Sequence, residues 1–225
     1  MNPPPITATL GLDQASRTGW AIGRVPVGRW AVQQHGGPGT ILRHGVATNH
    51  LERRAVAELA VAIAGGDPRQ LLVMFEQHDE MALDRLTAKD YRTKRRGPYF
   101  VERGPKQIHG MGKAYGRWEE QLDLAGHPER LRDEVEPRTW RARVLGTTRG
   151  DTEQLKHLAK TWATAYLGEP IDDADEAEGC AICVFSLLDG LARLEGRRQK
   201  ARLYARGRRE ERRQLELERV DGRLR

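Results

Sequence analysis

The chain has 225 residues, of which 38% are hydrophobic and 31% charged, and carries a formal net charge of +6. That length suits one α/β domain with an appended tail better than two domains, and so polar a composition implies solvated helices or a stretch outside the core. No apolar run approaches the roughly 18 residues that a membrane span needs, and the Pro-rich start Met1 to Pro5 lacks the layout of a signal peptide, so a soluble cytoplasmic protein is expected.

Ile6 to Leu12 alternates β-branched and small residues and reads as a strand whose end presents Asp13. Gly19 to Val25 and Ile41 to Ala47 read as two more strands, and the short connections make the three an antiparallel meander. Apolar residues recur at helical spacing from Leu51 to Ala64, where Gly65-Gly66-Asp67-Pro68 stops the helix. The continuous apolar run Leu71 to Phe75 is the pattern of a strand buried on both faces, with Glu76 at its C-terminal end.

Ala88 to Lys106 breaks this pattern. It interleaves Lys89, Arg92, Lys94, Arg95, Arg96, Arg103 and Lys106 with Tyr91, Tyr99 and Phe100, and reads as a basic loop. Gln107 to Gly126 follows as a helix and Leu131 to Val135 as a short strand ending at Pro137. Asp151 opens the next helix and Gly168 closes it.

A last helix runs from near Asp173 through Cys183 to about Leu194. Its two cysteines, Cys180 and Cys183, are the only ones in the chain. Without a second pair to complete a zinc site they read as buried core thiols, which fits a reducing compartment. The predicted order of elements is satisfied by an α/β fold with a mixed five-stranded sheet and helices on both faces.

Beyond that helix the charge is uneven. Arg193 to Arg225 holds 13 Arg and Lys against 6 Asp and Glu, so the other 192 residues sum to −1. A basic C-terminal tail reads as a polyanion contact, nucleic acid first. The plainer reading is a solvated Arg/Glu helix, since Arg208, Arg209, Glu210, Glu211, Arg212 and Arg213 alternate in blocks. The boundary falls between residues 1–194, the globular domain, and 195–225, the Arg-rich tail.

The candidate chemistry lies in carboxylates. Acids at the ends of buried strands, Asp13 and Glu76, are costly unless paired or bound to a cation. Asp175 and Glu178, three apart at the start of the last helix, share one face. Together the four would hold two hard cations, Mg²⁺ or Mn²⁺. Each also has a plainer role: Asp13 as a turn residue, Glu76 as a surface acid, Asp175 as an N-cap and Glu178 as a partner of the helix dipole. Asp172, Asp173 and Glu176 crowd the same spot, so spacing alone does not select among them.

Gly11-Leu12-Asp13-Gln14-Ala15-Ser16-Arg17-Thr18-Gly19-Trp20 resembles the opening strand and turn of RuvC-like Holliday-junction resolvases. Phe75-Glu76-Gln77 resembles their second acidic motif. Glu136-Pro137-Arg138-Thr139-Trp140-Arg141 is similar to the Pro-x-x-Trp-Lys of phage-type members, and Asp175 to Ile182 resembles their C-terminal acidic helix. The pieces occur in family order.

The resemblance implies an RNase H-like fold in which Asp13, Glu76, Asp175 and Glu178 are catalytic and hold two Mg²⁺ ions, Mn²⁺ being able to substitute. It also implies a homodimer that nicks opposed strands of a four-way DNA junction without a nucleotide cofactor. Two positions depart from the pattern. Glu178 stands where the family usually has Asp, and Thr152 stands where a phosphate-binding Lys is common, leaving Arg149 or Lys156 to substitute.

Basic residues with interleaved aromatics suit phosphate contact and base stacking, so Lys89, Tyr91, Arg92, Lys94, Arg95, Arg96, Tyr99 and Phe100 are candidate DNA contacts. A solvated loop is their plainer reading. Rival functions are a nuclease of flaps, forks or duplex and a branched-DNA binder that does not cut. An actin-like ATPase is disfavoured, because the chain lacks a second Gly-rich phosphate loop and the length for two such domains.

Overall fold

Two strands set the frame. β1 (Ala8–Asp13) and β4 (Leu71–Glu76) are buried along their whole length and pair in parallel, with Leu12 opposite Phe75. Asp13 and Glu76 are therefore neighbours at the same sheet edge, each the last residue of its strand. The computed structural model describes residues 4–13, 17–25, 40–77, 116–197, 199–201, 203, 204, 208 and 210. Contacts divide the chain into two units, Met1–Gly190 and Leu191–Arg225.

In the first unit the sheet is completed by β2 (Thr18–Arg24), β3 (Ile41–Ala47) and β5 (Arg132–Val135), in the order β3-β2-β1-β4-β5. The β1–β2 and β2–β3 pairs are antiparallel, as the short connections predict, and β4–β5 is parallel. It is a mixed five-stranded α/β sheet with helices on both faces.

The twofold alternation of side chains sorts the faces. Leu10, Leu12, Val73 and Phe75 point to one side, where α1 (His50–Ile63) and α2 (residues 116–124) cover them with Val56, Ala60, Trp118 and Leu122. Asn49 caps α1 by accepting from the Leu51 and Glu52 amides. Thr9, Gly11 and Asp13 take the opposite side, and so do Met74 and Glu76.

That opposite side is covered by α3 (Pro137–Trp140), α4 (Thr152–Leu167) and α5 (Ala174–Phe185). Asp151 and Gln154 form a reciprocal capping box on α4, and Gly168 ends it at φ 76°. On this face Ala159, Ala163, Ala177, Cys180 and Cys183 form one cluster, and Met74, Val135, Trp140, Ala181, Ile182 and Phe185 another. Each large apolar side chain so buried contributes about 1.5–3 kcal/mol.

α5 lies directly on the sheet because glycines open the way. A Cβ added to Gly11 would sit 2.3 Å from the Cys183 nitrogen, and one on Gly19 would sit 1.5 Å from the Asp175 carbonyl oxygen. These backbones touch with no side chain between them. Cys183 is sealed in the contact, its thiol paired with the Thr9 hydroxyl at 3.5 Å. Burial pushes the Cys183 thiol up to about 12 and raises that of Cys180 further.

Two features depart from the predicted elements. Pro137 to Leu145 was expected only to follow a strand, yet it forms α3 and then a π-helical turn, Arg141–Leu145. The last helix, expected to about Leu194, carries a second π turn, Ser186–Gly190, after Phe185, with helical backbone again from residue 191. Of the predicted helix Gln107 to Gly126, residues 107–115 lie outside the described residues.

In the second unit the backbone is helical at residues 191–197, 199–201, 203, 204, 208 and 210. Leu203 and Tyr204 are exposed, and the Arg208 guanidinium sits 5.1 Å from the Tyr204 ring centroid. No helix among the described residues is long and apolar enough to cross a membrane.

Candidate metal centre

The strand ends meet the start of α5. Asp173, not Asp175, is the N-cap: its Oδ1 accepts from the amides of Asp175 and Glu176 at 2.9 and 3.2 Å. The cap frees the Asp175 side chain. One helical turn of spacing then puts Glu178 beside it, over the ends of β1 and β4.

One carboxylate oxygen from each of Asp13, Asp175 and Glu178 lies within 4.8 Å of the others. Glu76 adjoins Asp13 across the parallel strand ends, and its charge is the second cause that raises the Asp13 carboxyl. Asp13, Glu76 and Glu178 are 5%, 7% and 5% exposed, which rules out the roles of turn residue, surface acid and solvated dipole partner. The four predicted site acids are thus brought together.

The neighbouring acids go elsewhere. Glu176 turns away to His44 on β3, with 2.8 Å between its Oε1 and the ring Nδ1, while Glu169 meets the other ring nitrogen at 2.8 Å. Asp172 is exposed. Asp173 is held by Arg17 in the β1–β2 connection.

Among the described residues, Arg141 and Lys156 bring a cationic nitrogen within 3.9 Å of these carboxylates. Arg141 places Nη2 3.0 Å from Glu178 Oε1 and 3.7 Å from Glu76 Oε1. Lys156, a predicted DNA contact, has its Nζ 3.9 Å from Asp175 Oδ1. Arg141 stands in the Trp140-Arg141 motif but was not singled out from sequence; its place after a conspicuous motif tryptophan was the available signal.

This compensation is incomplete. Burial, with the Glu76 charge second, raises the Asp13 carboxyl well above its ordinary value. Burial and Glu76 push Glu178 up to about 7 against the opposing pull of Arg141, and burial raises Asp175 as well. Burial of this kind around Asp13, Asp175 and Glu178 disfavours their charged forms, and a bound cation would offset it. Its donors are all carboxylate oxygens, the set that hard divalent cations prefer, so Mg²⁺ or Mn²⁺ fits these residues.

Among the other predicted contacts, Arg149 is exposed, its backbone amide donating to Thr147 Oγ1 at 3.1 Å. Lys89, Tyr91, Arg92, Lys94, Arg95, Arg96, Tyr99 and Phe100 lie outside the described residues.

No protein-family model matches the chain, and no curated protein matches it. Solved structures do. The RuvC structure of Thermus thermophilus superposes with a TM-score of 0.50 at 14% identity, covering 82% of this chain and 96% of that one. The chain has the RuvC fold. A second structure, T. thermophilus RuvC in complex with Holliday junction substrate, superposes with a TM-score of 0.53 at 13% identity over 82% and 94% of the two chains. On this RuvC, RNase H-like framework the four acids stand at the ends of two parallel strands and the start of the helix laid across them.

Proposed function

We propose that the chain is a divalent-metal-dependent endonuclease of branched DNA, with four-way junctions its foremost substrate. The reading is carried by one observation: on a RuvC fold, Asp13, Glu76, Asp175 and Glu178 converge into a buried acidic cluster in which a bound cation would offset the cost of burial. The T. thermophilus protein of the same fold has been solved with a Holliday junction substrate, which supports DNA as the partner.

Asp13, Asp175 and Glu178 would hold one ion and Glu76 would help to hold a second. When bound, Mg²⁺ or Mn²⁺ supplies Lewis acidity at the scissile phosphodiester and lowers the pKa of the attacking water. The chain's own part is to fix these acids on rigid strand ends. Gly11 and Gly19 do so by letting α5 settle on the sheet, and the Asp173 cap by starting α5 where Asp175 faces the cluster.

Lys156 and Arg149 lie towards the phosphates in this reading, with the 88–106 segment and the Arg-rich tail as further contacts. A homodimer would cut two opposed strands symmetrically.

The test is cleavage of a labelled four-way junction, a fork, a flap and a linear duplex, each with Mg²⁺ and with chelator. Symmetric nicks in the junction that need Mg²⁺ are expected. Preference for fork, flap or duplex would shift the substrate, and junction binding without any cleavage would make the chain a branched-DNA binder.

A further inference from the structure

The four carboxylates are not equivalent. Asp13, Asp175 and Glu178 share one cluster of oxygens close enough for a single ion, and Glu76 stands outside that set of three. On the side of Glu76 a cation is already present. Arg141 Nη2 lies 3.0 Å from Glu178 Oε1 and 3.7 Å from Glu76 Oε1, so one guanidinium nitrogen bridges Glu76 to Glu178, the member of the three-acid set on that side.

The mounting of Arg141 supports an exchangeable role. Trp140, fully buried against Ala181, Ile182 and Phe185, anchors α3 to α5. The Arg141 guanidinium carbon lies 5.0 Å from the Trp140 ring centroid, so the charge rests on an indole face as well as on carboxylates. Arg141 Nε is nevertheless buried with no hydrogen-bond partner among the described residues. A guanidinium has five N–H donors in a fixed fork, and leaving a buried one unused costs about 1–3 kcal/mol. Arg141 is held by charge and stacking rather than by a complete set of hydrogen bonds, and such a contact yields to a stronger charge.

We propose that Arg141 is the site's built-in cation, occupying the Glu76–Glu178 side before metal loads and having to withdraw from it when a second divalent ion binds. The inference rests on the metal-centre reading given above. The two ions then bind unequally: the first enters the Asp13–Asp175–Glu178 set with Arg141 in place, and the second competes with the guanidinium. Withdrawal also frees a cation, with its unused donors, next to the place where a phosphate would arrive.

The test is calorimetric titration of Mn²⁺ into the full chain without DNA, for wild type, Arg141→Gln and Asp13→Asn. Wild type should bind one ion firmly and a second weakly. In Arg141→Gln the second ion should bind at least roughly tenfold tighter, because its competing charge is gone. Asp13→Asn should lose the first ion. If Asp13→Asn loses the ion while Arg141→Gln titrates like wild type, Arg141 does not contest the site and the inference falls, although the metal centre stands. If wild type binds no ion, both fall.

Should Arg141→Gln fail to fold without metal, the wild-type chain still gives an answer. The Arg141 Nε–H resonance, assigned with Arg141→Lys, should move during the second step of a Mg²⁺ titration. A resonance that stays fixed through both steps would overturn the proposal.

Discussion

Gly179 on α5 lies against Gly19 on β2 so closely that a Cβ on Gly179 would fall 2.5 Å from the Gly19 carbonyl carbon. Both partners are backbone, so neither can rotate away. Gly179→Ala should therefore lift α5 from the sheet, with a loss of stability above the 1–3 kcal/mol typical of overpacking in a core. Denaturant midpoints check the loss. Asp175 and Glu178 ride on the same helix, so metal affinity should fall as well; a Gly179→Ala chain with wild-type midpoint and metal binding would contradict the packing account.

Asp13→Asn removes a buried negative charge at nearly constant shape. Burial raises the Asp13 carboxyl well above its ordinary value, so the metal-free variant should be at least as stable as wild type near neutral pH. Cleavage should drop by more than about a hundredfold, since even changes beside the ligands of a metal commonly cost 10–100-fold. Gel cleavage and a melting curve on one preparation read both, while filter binding to a junction should be little changed.

Glu178 and Glu176 make a contrast within one helix turn. Glu178→Gln alters a carboxylate inside the cluster and should abolish cleavage; Glu176→Gln alters one that faces His44 and should leave the rate within a fewfold of wild type. Single-turnover rates decide between them. Equal losses in both would mean that the His44 contact governs the pose of α5.

Stability of the metal-free chain should depend on pH through Glu178. Its carboxyl is pushed from the ordinary 4.5 to about 7, mainly by burial and next by Glu76, so the folded state binds this proton more tightly than the unfolded state. The stabilisation is full below about 4.5 and is lost as pH rises through about 7, the loss being on the order of 3 kcal/mol. Wild type compared with Glu178→Gln by denaturation from pH 4 to 8 isolates this group. Saturating Mg²⁺ should remove most of the difference in slope.

Removing Arg197 to Arg225 deletes 12 basic and 5 acidic residues and takes the net charge from +6 to −1. Affinity for junction and duplex should fall together and the slope of log affinity against log salt should flatten, while the preference between shapes survives. Binding measured at three salt concentrations tests this. An unchanged salt slope would leave the tail as a solvated helix.

Much of the fold was legible because its signals are local. An alternating run ending at Asp13 and a continuous apolar run ending at Glu76 each mark a buried strand with a charge at its tip, and the parallel register does the rest. Beyond its place after the motif tryptophan, the role of Arg141 was not legible: four residues of helix followed by a π turn carry no periodicity to read, and its partners lie 37 and 65 residues away. The role of Gly19 was hidden for a similar reason, because the carbonyl that forbids a side chain there belongs to Asp175. Among the crowded acids near α5, only the cap at Asp173 separates those that face the cluster from Glu176.

The chain's two cysteines are enclosed between β1, β2 and α5, with Cys180 and Cys183 both fully buried. Thiols so placed are poor nucleophiles and out of reach of maleimides. A cysteine introduced at an exposed position such as Thr48 would then be the single reactive thiol of the folded chain. Fluorophores or spin labels can be attached there without first stripping the native sulfurs, and the proposed DNA binding can be tested by distance measurements on an otherwise unaltered protein.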